Sequence, residues 1–153
     1  MKKNQRQAQW IASALSVVLS LSLALPTAAQ KDDEEEVEAK LASELSDKLD
    51  EIDDALGELA KVEKGEKNFF IADSFSKTLD GLASHSKKIK QHFDSKGDTK
   101  IARAAEKLGS AVKDAQRALE EYEPGESQKP LMAALEKVQD LGEAAVGLVS
   151  PNN

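Results

Sequence analysis

Residues 98–122 read DTKIARAAEKLGSAVKDAQRALEEY, and their apolar positions repeat every seven residues without a slip. Three columns result, which we label a, d and e after the heptad convention. Column a holds Ile101, Leu108, Ala115 and Tyr122, column d holds Ala104, Ala111 and Ala118, and column e holds Ala105, Val112 and Leu119. On a helix these columns form one broad apolar face opposite Arg, Lys, Glu and Gln. Because such a face needs partners, the rest of the chain is expected to supply further helices.

The composition favours a single all-α domain. The chain has 153 residues, of which 32% are charged and 4% are aromatic, and Ala, Leu, Glu and Lys dominate, which is typical of helical assemblies. This length suits one domain with its own core better than two. The sequence has no cysteine, which excludes disulfides, thiolate metal sites, a cysteine nucleophile and a lipid-modified cysteine.

Residues 1–29 have the pattern of a secretory signal peptide. Three basic side chains among the first six residues precede an uncharged run at 10–25, and small residues follow before the charged sequence begins. This pattern predicts cleavage between Ala29 and Gln30. An uncleaved membrane anchor is disfavoured because the run contains four serines and is short for a span that needs about 20 apolar residues. The mature protein, residues 30–153, is therefore expected in the periplasm of a bacterium or outside the cell.

The mature protein is predicted to be strongly acidic. Cleavage takes three of the 21 basic side chains and none of the 28 acidic ones, so the net charge becomes −10. Nucleic acid and anionic lipid both repel such a protein, so we expect no nucleic-acid partner and no strong membrane binding. Five acids form the run DDEEE at 32–36. We interpret this run as the solvated start of helix 1, where negative charge suits the helix dipole, with a cation-collecting tail as the alternative.

Apolar stripes predict four helices, at about 33–64, 68–95, 98–123 and 127–149. The stripe of helix 1 comprises Val37, Leu41, Leu45, Leu49, Ile52, Leu56, Leu59 and Val62. The stripe of helix 2 comprises Ile71, Phe75, Leu79, Leu82, Ile89 and Phe93. The stripe of helix 4 comprises Leu131, Leu135, Val138, Leu141, Ala145, Leu148 and Val149.

Turn and cap residues separate these helices. Asp98 or Thr99 is the natural N-cap of helix 3, Pro124 and Gly125 end that helix, and Pro130 is tolerated in the first turn of helix 4. Loops of a few residues make consecutive helices antiparallel, so we predict a single domain at 30–153 with an all-α fold, an up-down-up-down antiparallel four-helix bundle. Column d and Gly142 are expected to let two helix backbones approach closely.

The mature sequence offers few residues for metal or cofactor chemistry, namely His85, His92 and Met132. The two histidines are two helical turns apart, about 10.5 Å, which is too far to share one ion, and the Glu-x-x-His and His-Glu-x-x-His motifs are absent. We therefore assign no catalytic residue and no metal ligand, and we expect no cofactor. Thr78, His85 and His92 follow one margin of helix 2, and both histidines are expected at the rim of the core with a polar edge toward water.

In architecture alone, the predicted bundle resembles the soluble b-type cytochromes, which are four-helix bundles of about this size in the same compartment. The resemblance implies an axial methionine near the start of helix 1 and a histidine near the end of helix 4. In this sequence, helix 1 has no methionine and helix 4 has no histidine. Non-covalent haem on His85 or His92 is nevertheless kept as an alternative function.

The leading hypothesis is an exported, non-enzymatic helical protein that acts by binding. No nucleophile elbow, P-loop or dinucleotide fingerprint is present. The hypothesis that remains is an envelope interaction, scaffold or chaperone-like role with an unidentified protein partner. Lys87, Lys88 and Lys90 form a basic patch that could dock such a partner, although a solvated helix face is the simpler interpretation. Lipid association by opened amphipathic helices is the second alternative, and the broad stripes leave a homodimer open.

Overall fold

The computed structural model describes residues 28–61, 69–123 and 127–150, without the side chains of 28–30 and 69–72. Within these ranges the protein is all-helical and has no strand. The helices are α1 (Ala28–Lys61), α2 (Phe69–Lys96), α3 (Thr99–Glu120) and α4 (Lys129–Val149). The prediction of an all-α chain with four helices is confirmed for the described residues.

Helix α1 differs most from its predicted bounds. It begins at Ala28 instead of residue 33, because the Ala-Ala-Gln-Lys sequence before the acids consists of good helix formers. The acidic run at 32–36 therefore lies past the first turn of α1. Most of the predicted signal peptide lies outside the described residues, and its expected cleavage bond, Ala29–Gln30, falls within the first turn of α1.

All four helices contribute to one apolar core. Residues 98–122, which we call the deciding stretch, contribute to it through α3. Most members of columns a, d and e are buried: Ile101, Ala105, Leu108, Ala111, Val112 and Ala115. The others are partly exposed: Ala104, Ala118, Leu119 and Tyr122. Ala102 lies outside the three columns but is also buried. Of the other predicted core residues, Val62 and the side chain of Ile71 lie outside the described part of the chain.

Each helix packs against two others. Helix α1 contacts α2 and α4, and α3 also contacts α2 and α4, whereas no contact joins α1 to α3 or α2 to α4 within the described residues. Every helix thus has two adjacent helices and one that lies diagonally across the core. This arrangement is consistent with a four-helix bundle.

One predicted core residue, Val37, is exposed to solvent at 45% of its surface. The reason is the short reach of α4 along α1. Gly142 lies against Leu49, and the contacts of α4 shift toward earlier residues of α1 as α4 proceeds. The seven residues from Gly142 to Val149 advance α4 by about 10.5 Å. Val149, the last residue of α4, therefore comes level with Ala42. The residues of α1 before Ala42, including Val37, are not covered by α4.

Gly142 accommodates a side chain, not the second backbone that we predicted. A Cβ atom placed on Gly142 would fall 2.8 Å from Cδ1 and 3.0 Å from Cγ of Leu49, and closer still to its Cδ2. Leu49 of α1 thus packs directly onto the backbone of α4. The close approach exists, but it joins α4 to α1 through a leucine.

Two residues connect α2 to α3. Gly97 adopts a φ of 76°, a left-handed conformation that glycine reaches without strain. Its N–H donates to the carbonyl oxygen of Asp94 at 3.1 Å, and the N–H of Asp98 donates to that of Phe93 at 2.9 Å. These two bonds form a Schellman motif, which satisfies the last carbonyl groups of α2 and turns the chain into α3.

Asp98, one of the two N-cap candidates from the sequence, is the N-cap of α3. Its Oδ1 accepts hydrogen bonds from the backbone N–H groups of Lys100 and Ile101, both at 3.1 Å. We expect Asp98→Ala to lower the free energy of unfolding by about 1 kcal/mol because both N–H groups lose their acceptor. Urea denaturation measures this loss. Asp98→Asn is the control and should retain most of the stability, whereas an equal loss in both variants would show that the charge, not the hydrogen bond, stabilises α3.

Candidate functional site

Helix α2 lies between two grooves, each lined in part by lysines. The α1–α2 groove has a volume of about 420 Å³ and the α2–α3 groove one of about 460 Å³. The basic patch predicted on helix 2 is divided between them: Lys88 lines the α1–α2 groove, whereas Lys87 and Lys90 line the α2–α3 groove. Successive helical residues point about 100° apart, so neighbouring lysines face different helices. The three lysines are therefore not one surface.

The α1–α2 groove contains His85, which is buried. The residue is 5% exposed. Its Nε2 lies 2.8 Å from the carbonyl oxygen of Leu41 and must donate, since a carbonyl oxygen only accepts. Its Nδ1 lies 3.4 Å from Oε2 of Glu44. Helix α1 thus covers the polar edge that we expected to face water, and binding of iron by Nε2 would break the bond to Leu41.

His92 also faces α1, two helical turns beyond His85. Its Nε2 is buried without a hydrogen bond in the described part of the chain and lies 3.5 Å from Oε1 of Glu38. That oxygen already accepts a hydrogen bond from Nζ of Lys96 at 2.6 Å, and Lys96 also lies 3.1 Å from Oε2 of Glu34. The hydrogen bond from Lys96 to Glu38 is the main reason that the pKa of Lys96 is raised. This cluster ties the end of α2 to α1.

Glu51 forms the corresponding cluster at the other end of the groove. It accepts hydrogen bonds from Nζ of Lys48 at 2.6 Å and from Oγ1 of Thr78 at 2.9 Å. The bond from Lys48 contributes most to lowering the pKa of Glu51, and the bond from Thr78 adds to it. Because these bonds favour the ionised carboxylate, they stabilise the fold at neutral pH and are lost as the pH falls through the lowered pKa.

Some polar groups of the α1–α2 groove bind across the two helices, whereas others bind within α1. Thr78, His85 and His92, the margin predicted from the sequence, all face α1. No three of the His, Asp and Glu side chains in the described ranges are placed to hold a metal ion. Met132, the third residue that we considered for metal or cofactor chemistry, is partly buried and packs against the core. We conclude that this groove stabilises the packing of α2 on α1.

The α2–α3 groove has a different character, with small residues at its floor and lysines at its walls. Its lining consists of Ala83, Ser86, Lys87, Lys90, Ala105, Glu106, Gly109, Ser110 and Lys113. A Cβ atom on Gly109 would lie 3.0 Å from Oγ of Ser86, so the two helices approach closely there. The groove is therefore shallow along its floor and bounded by long basic side chains.

Two of its three lysines have no ion pair within the described residues. Nζ of Lys90 lies 2.6 Å from Oδ2 of Asp94, and this hydrogen bond raises the pKa of Lys90. Lys87 and Lys113 pair with no carboxylate in the described part of the chain, although Glu106 lines the same groove. The groove thus presents positive charge on a protein whose full sequence has a net charge of −7.

The α3 half of this groove, including Lys113, was missed by the sequence reasoning. A signal for it does exist on the polar side of α3, where Ala102, Gly109 and Gln116 recur every seven residues. Ala102 is buried, and Nε2 of Gln116 donates to Oδ1 of Asp80 on α2 at 2.8 Å. A column of small residues that continues into a polar one is typical of a close helix contact at the edge of the core, and this column marks the side of α3 that faces α2.

Acidic and basic side chains are unevenly distributed among the helices. Helix α1 carries 13 acidic and four basic side chains. Helices α2 and α3 each carry five Lys or Arg against three Asp or Glu. The acidic α1 packs on α2 but is not adjacent to α3, so the basic side chains of α3 lie away from the most acidic helix. Charge asymmetry of this kind directs how partners approach.

The α2–α3 groove is suited to binding carboxylates. The ammonium groups of Lys87 and Lys113 sit on flexible stems and can follow carboxylates in varied positions. Histidine is absent from the lining, and the Ser86 hydroxyl donates to the carbonyl oxygen of Ala83 at 3.0 Å. The hydroxyl of Ser86 is thus already bonded within α2.

Comparison of the chain with protein-family models, curated proteins and solved structures found no significant match. In the described ranges, no helix has both the length and the apolar character that crossing a bilayer requires. The structure alone therefore defines the class of protein: four helices around one core, with a basic groove between α2 and α3.

Proposed function

We propose that this protein acts without catalysis by binding an acidic surface of a protein partner in the α2–α3 groove. The observation that carries the proposal is that Lys87 and Lys113 face this groove and have no ion pair within the described residues. The chain has 28 acidic side chains, yet both ammonium groups remain available to another molecule. An envelope interaction, scaffold or chaperone-like role is compatible with such a surface.

The fold that we propose for this function is an up-down-up-down antiparallel four-helix bundle. Its support is the reversed order of the contacts between helices. Along α1, Glu38 precedes Glu51, whereas their partners on α2 occur in the opposite order, His92 after Thr78. Contacts between α2 and α3 and between α1 and α4 are reversed in the same way. Opposed directions for consecutive helices agree with the short connections between them.

Export is the second part of the proposal. Its support is the signal-peptide pattern of residues 1–29, with cleavage between Ala29 and Gln30. The protein then works in the periplasm or outside the cell with an acidic mature chain. A partner there meets the folded protein without competition from nucleic acid.

Fluorescence anisotropy with a labelled oligoglutamate peptide tests the binding function. The groove variant combines Lys87→Glu with Lys113→Glu, and the control variant combines Lys61→Glu with Lys129→Glu, two exposed positions outside the groove. Both variants change the net charge equally. We expect the groove variant to weaken peptide binding by about tenfold or more and the control variant to change it by less than about twofold, because local charge complementarity dominates over net charge.

Four outcomes would contradict the proposal. Equal weakening in both variants would show a response to net charge only. Binding of a DNA oligonucleotide as tight as that of the peptide would contradict a protein partner. A Soret band in the protein as isolated would support haem on His85 or His92 instead, and flotation with zwitterionic vesicles would support lipid association.

A further inference from the structure

The N-terminal part of α1 forms an exposed acidic arm, which we define as residues 31–37. Every residue of this arm is exposed. Of its five carboxylates, only that of Glu34 has an ion pair in the described part of the chain, with Lys96 at 3.1 Å. The same arm contains Val37, the one large apolar side chain found exposed among the described residues. A helix with four unpaired carboxylates and an exposed valine is a surface on which another molecule can dock.

The first three residues of the arm, 31–33, extend beyond the helices that flank α1. Lys96, the last residue of α2, reaches back only to Glu34, and α4 ends level with Ala42, as derived above from the contact of Gly142 with Leu49. Residues that precede Glu34 therefore have no neighbouring helix on either side in the described ranges. Residues 31–33 therefore project from the end of the protein, whereas the remainder of the arm lies beside the end of α2.

The acidic arm cannot reach the α2–α3 groove of its own chain. Helix α1 packs on α2 and α4 but makes no contact with α3 in the described residues, so α2 separates the arm from the groove. An α-helix is too stiff to bend around its neighbour without a kink. Any contact between the two surfaces must therefore join different molecules.

We infer that the acidic arm of one copy of this protein binds in the α2–α3 groove of a second copy. The inference rests on the groove of the proposed function and names its occupant. Asp32, Asp33, Glu35 and Glu36 supply carboxylates, and Lys87 and Lys113 supply ammonium groups, none of them with an ion pair in the described part of the chain. Val37 can pack on the apolar floor formed by the alanines and glycine of the groove.

This contact joins two different surfaces, so each copy has one arm and one groove to offer. Such a head-to-tail contact produces chains of molecules or a ring, depending on whether the rotation closes. Exposed ion pairs are individually weak and are screened by salt. The assembly is therefore expected at low ionic strength and high protein concentration and is lost at high salt.

Sedimentation equilibrium of the protein from an exporting host tests the inference. We expect the mean mass to exceed that of one chain at about 0.01 M salt, where the Debye length is about 30 Å, and to fall to one chain at about 1 M salt, where it is about 3 Å. The groove variant, Lys87→Glu with Lys113→Glu, and an arm variant, Glu35→Lys with Glu36→Lys, should each remain monomeric at low salt.

The mixture of these two variants gives the sharpest result. The native arm of the groove variant can bind the native groove of the arm variant, and the two charge-reversed surfaces are complementary to each other as well. We expect the mixture to regain assembly, with a dissociation constant about tenfold or more below that of either variant alone. The control variant, Lys61→Glu with Lys129→Glu, should assemble like the unaltered protein. Far-UV circular dichroism verifies that all variants retain their helices.

Several outcomes would overturn the inference. They are a monomeric unaltered protein at low salt, a mixture that remains monomeric, and variants that assemble as well as the unaltered protein. If the protein binds the oligoglutamate peptide in its groove but stays monomeric, the proposed function stands and only the inference fails. If it neither binds the peptide nor assembles, both fail.

Discussion

Leu108→Ala is expected to lower the free energy of unfolding by about 2–5 kcal/mol, the largest loss that we predict for a single substitution in this protein. Leu108 belongs to column a of the deciding stretch and is fully buried in the core that all four helices share. The substitution removes buried methyl groups and leaves a cavity that rigid helices cannot fill. Urea denaturation should show a lower midpoint with an unchanged slope.

Lys107→Ala is the matched control for this prediction. Lys107 precedes Leu108 but is exposed, so its replacement should change the free energy of unfolding by less than about 0.5 kcal/mol. Alanine is the best helix former in both cases, which removes helix propensity as an explanation for the loss. A loss below about 1 kcal/mol for Leu108→Ala would contradict its central position in the core.

Gly142→Ala is expected to lower the free energy of unfolding by about 1–3 kcal/mol, because the new methyl group overlaps the side chain of Leu49 and forces it out of its packed position. In a helix without this contact, the same substitution would be stabilising. Gly147→Ala, on the same helix, is the control. No atom lies within 4 Å of a Cβ placed there, so we expect a gain of about 0.5–1 kcal/mol from helix propensity.

A double-mutant cycle identifies Leu49 as the cause. In a Leu49→Ala background the overlap disappears, so Gly142→Ala should be neutral or stabilising there. The coupling energy of the cycle should reach about 1 kcal/mol or more, as is usual for residues in contact. A cycle without coupling would show that the backbone of α4 at Gly142, and not the leucine above it, resists the methyl group.

The periodicity of the deciding stretch predicted its burial well along most of its length. Leu108, Val112 and Ala115 are buried as their columns require, while Tyr122, beyond the end of α3, is only partly covered. Cap chemistry was equally informative, since Asp98 caps α3 as its side chain and position indicated. These features depend on residues that are close together in the sequence. Local sequence patterns are therefore sufficient to predict them.

The candidate site was only half visible in the sequence. Lys87, Lys88 and Lys90 look like one patch when the chain is read in order, but α2 divides them between two grooves. Lys113 completes the basic groove from a separate helix. His85 was expected to face water and instead donates to a carbonyl oxygen of α1. Each of these outcomes depends on which helix lies opposite a given side chain.

The amino-acid sequence by itself therefore determined the four helices of the described chain, the apolar stripes that form its core and the cap of α3. A period of 3.6 residues sets the angle of every side chain about the axis of its own helix. It does not set which helix lies opposite or how far two helices are displaced along their axes. Packing of the complete chain decided that Leu49 lies on Gly142, that Val37 is exposed and that Lys87 shares a groove with Lys113.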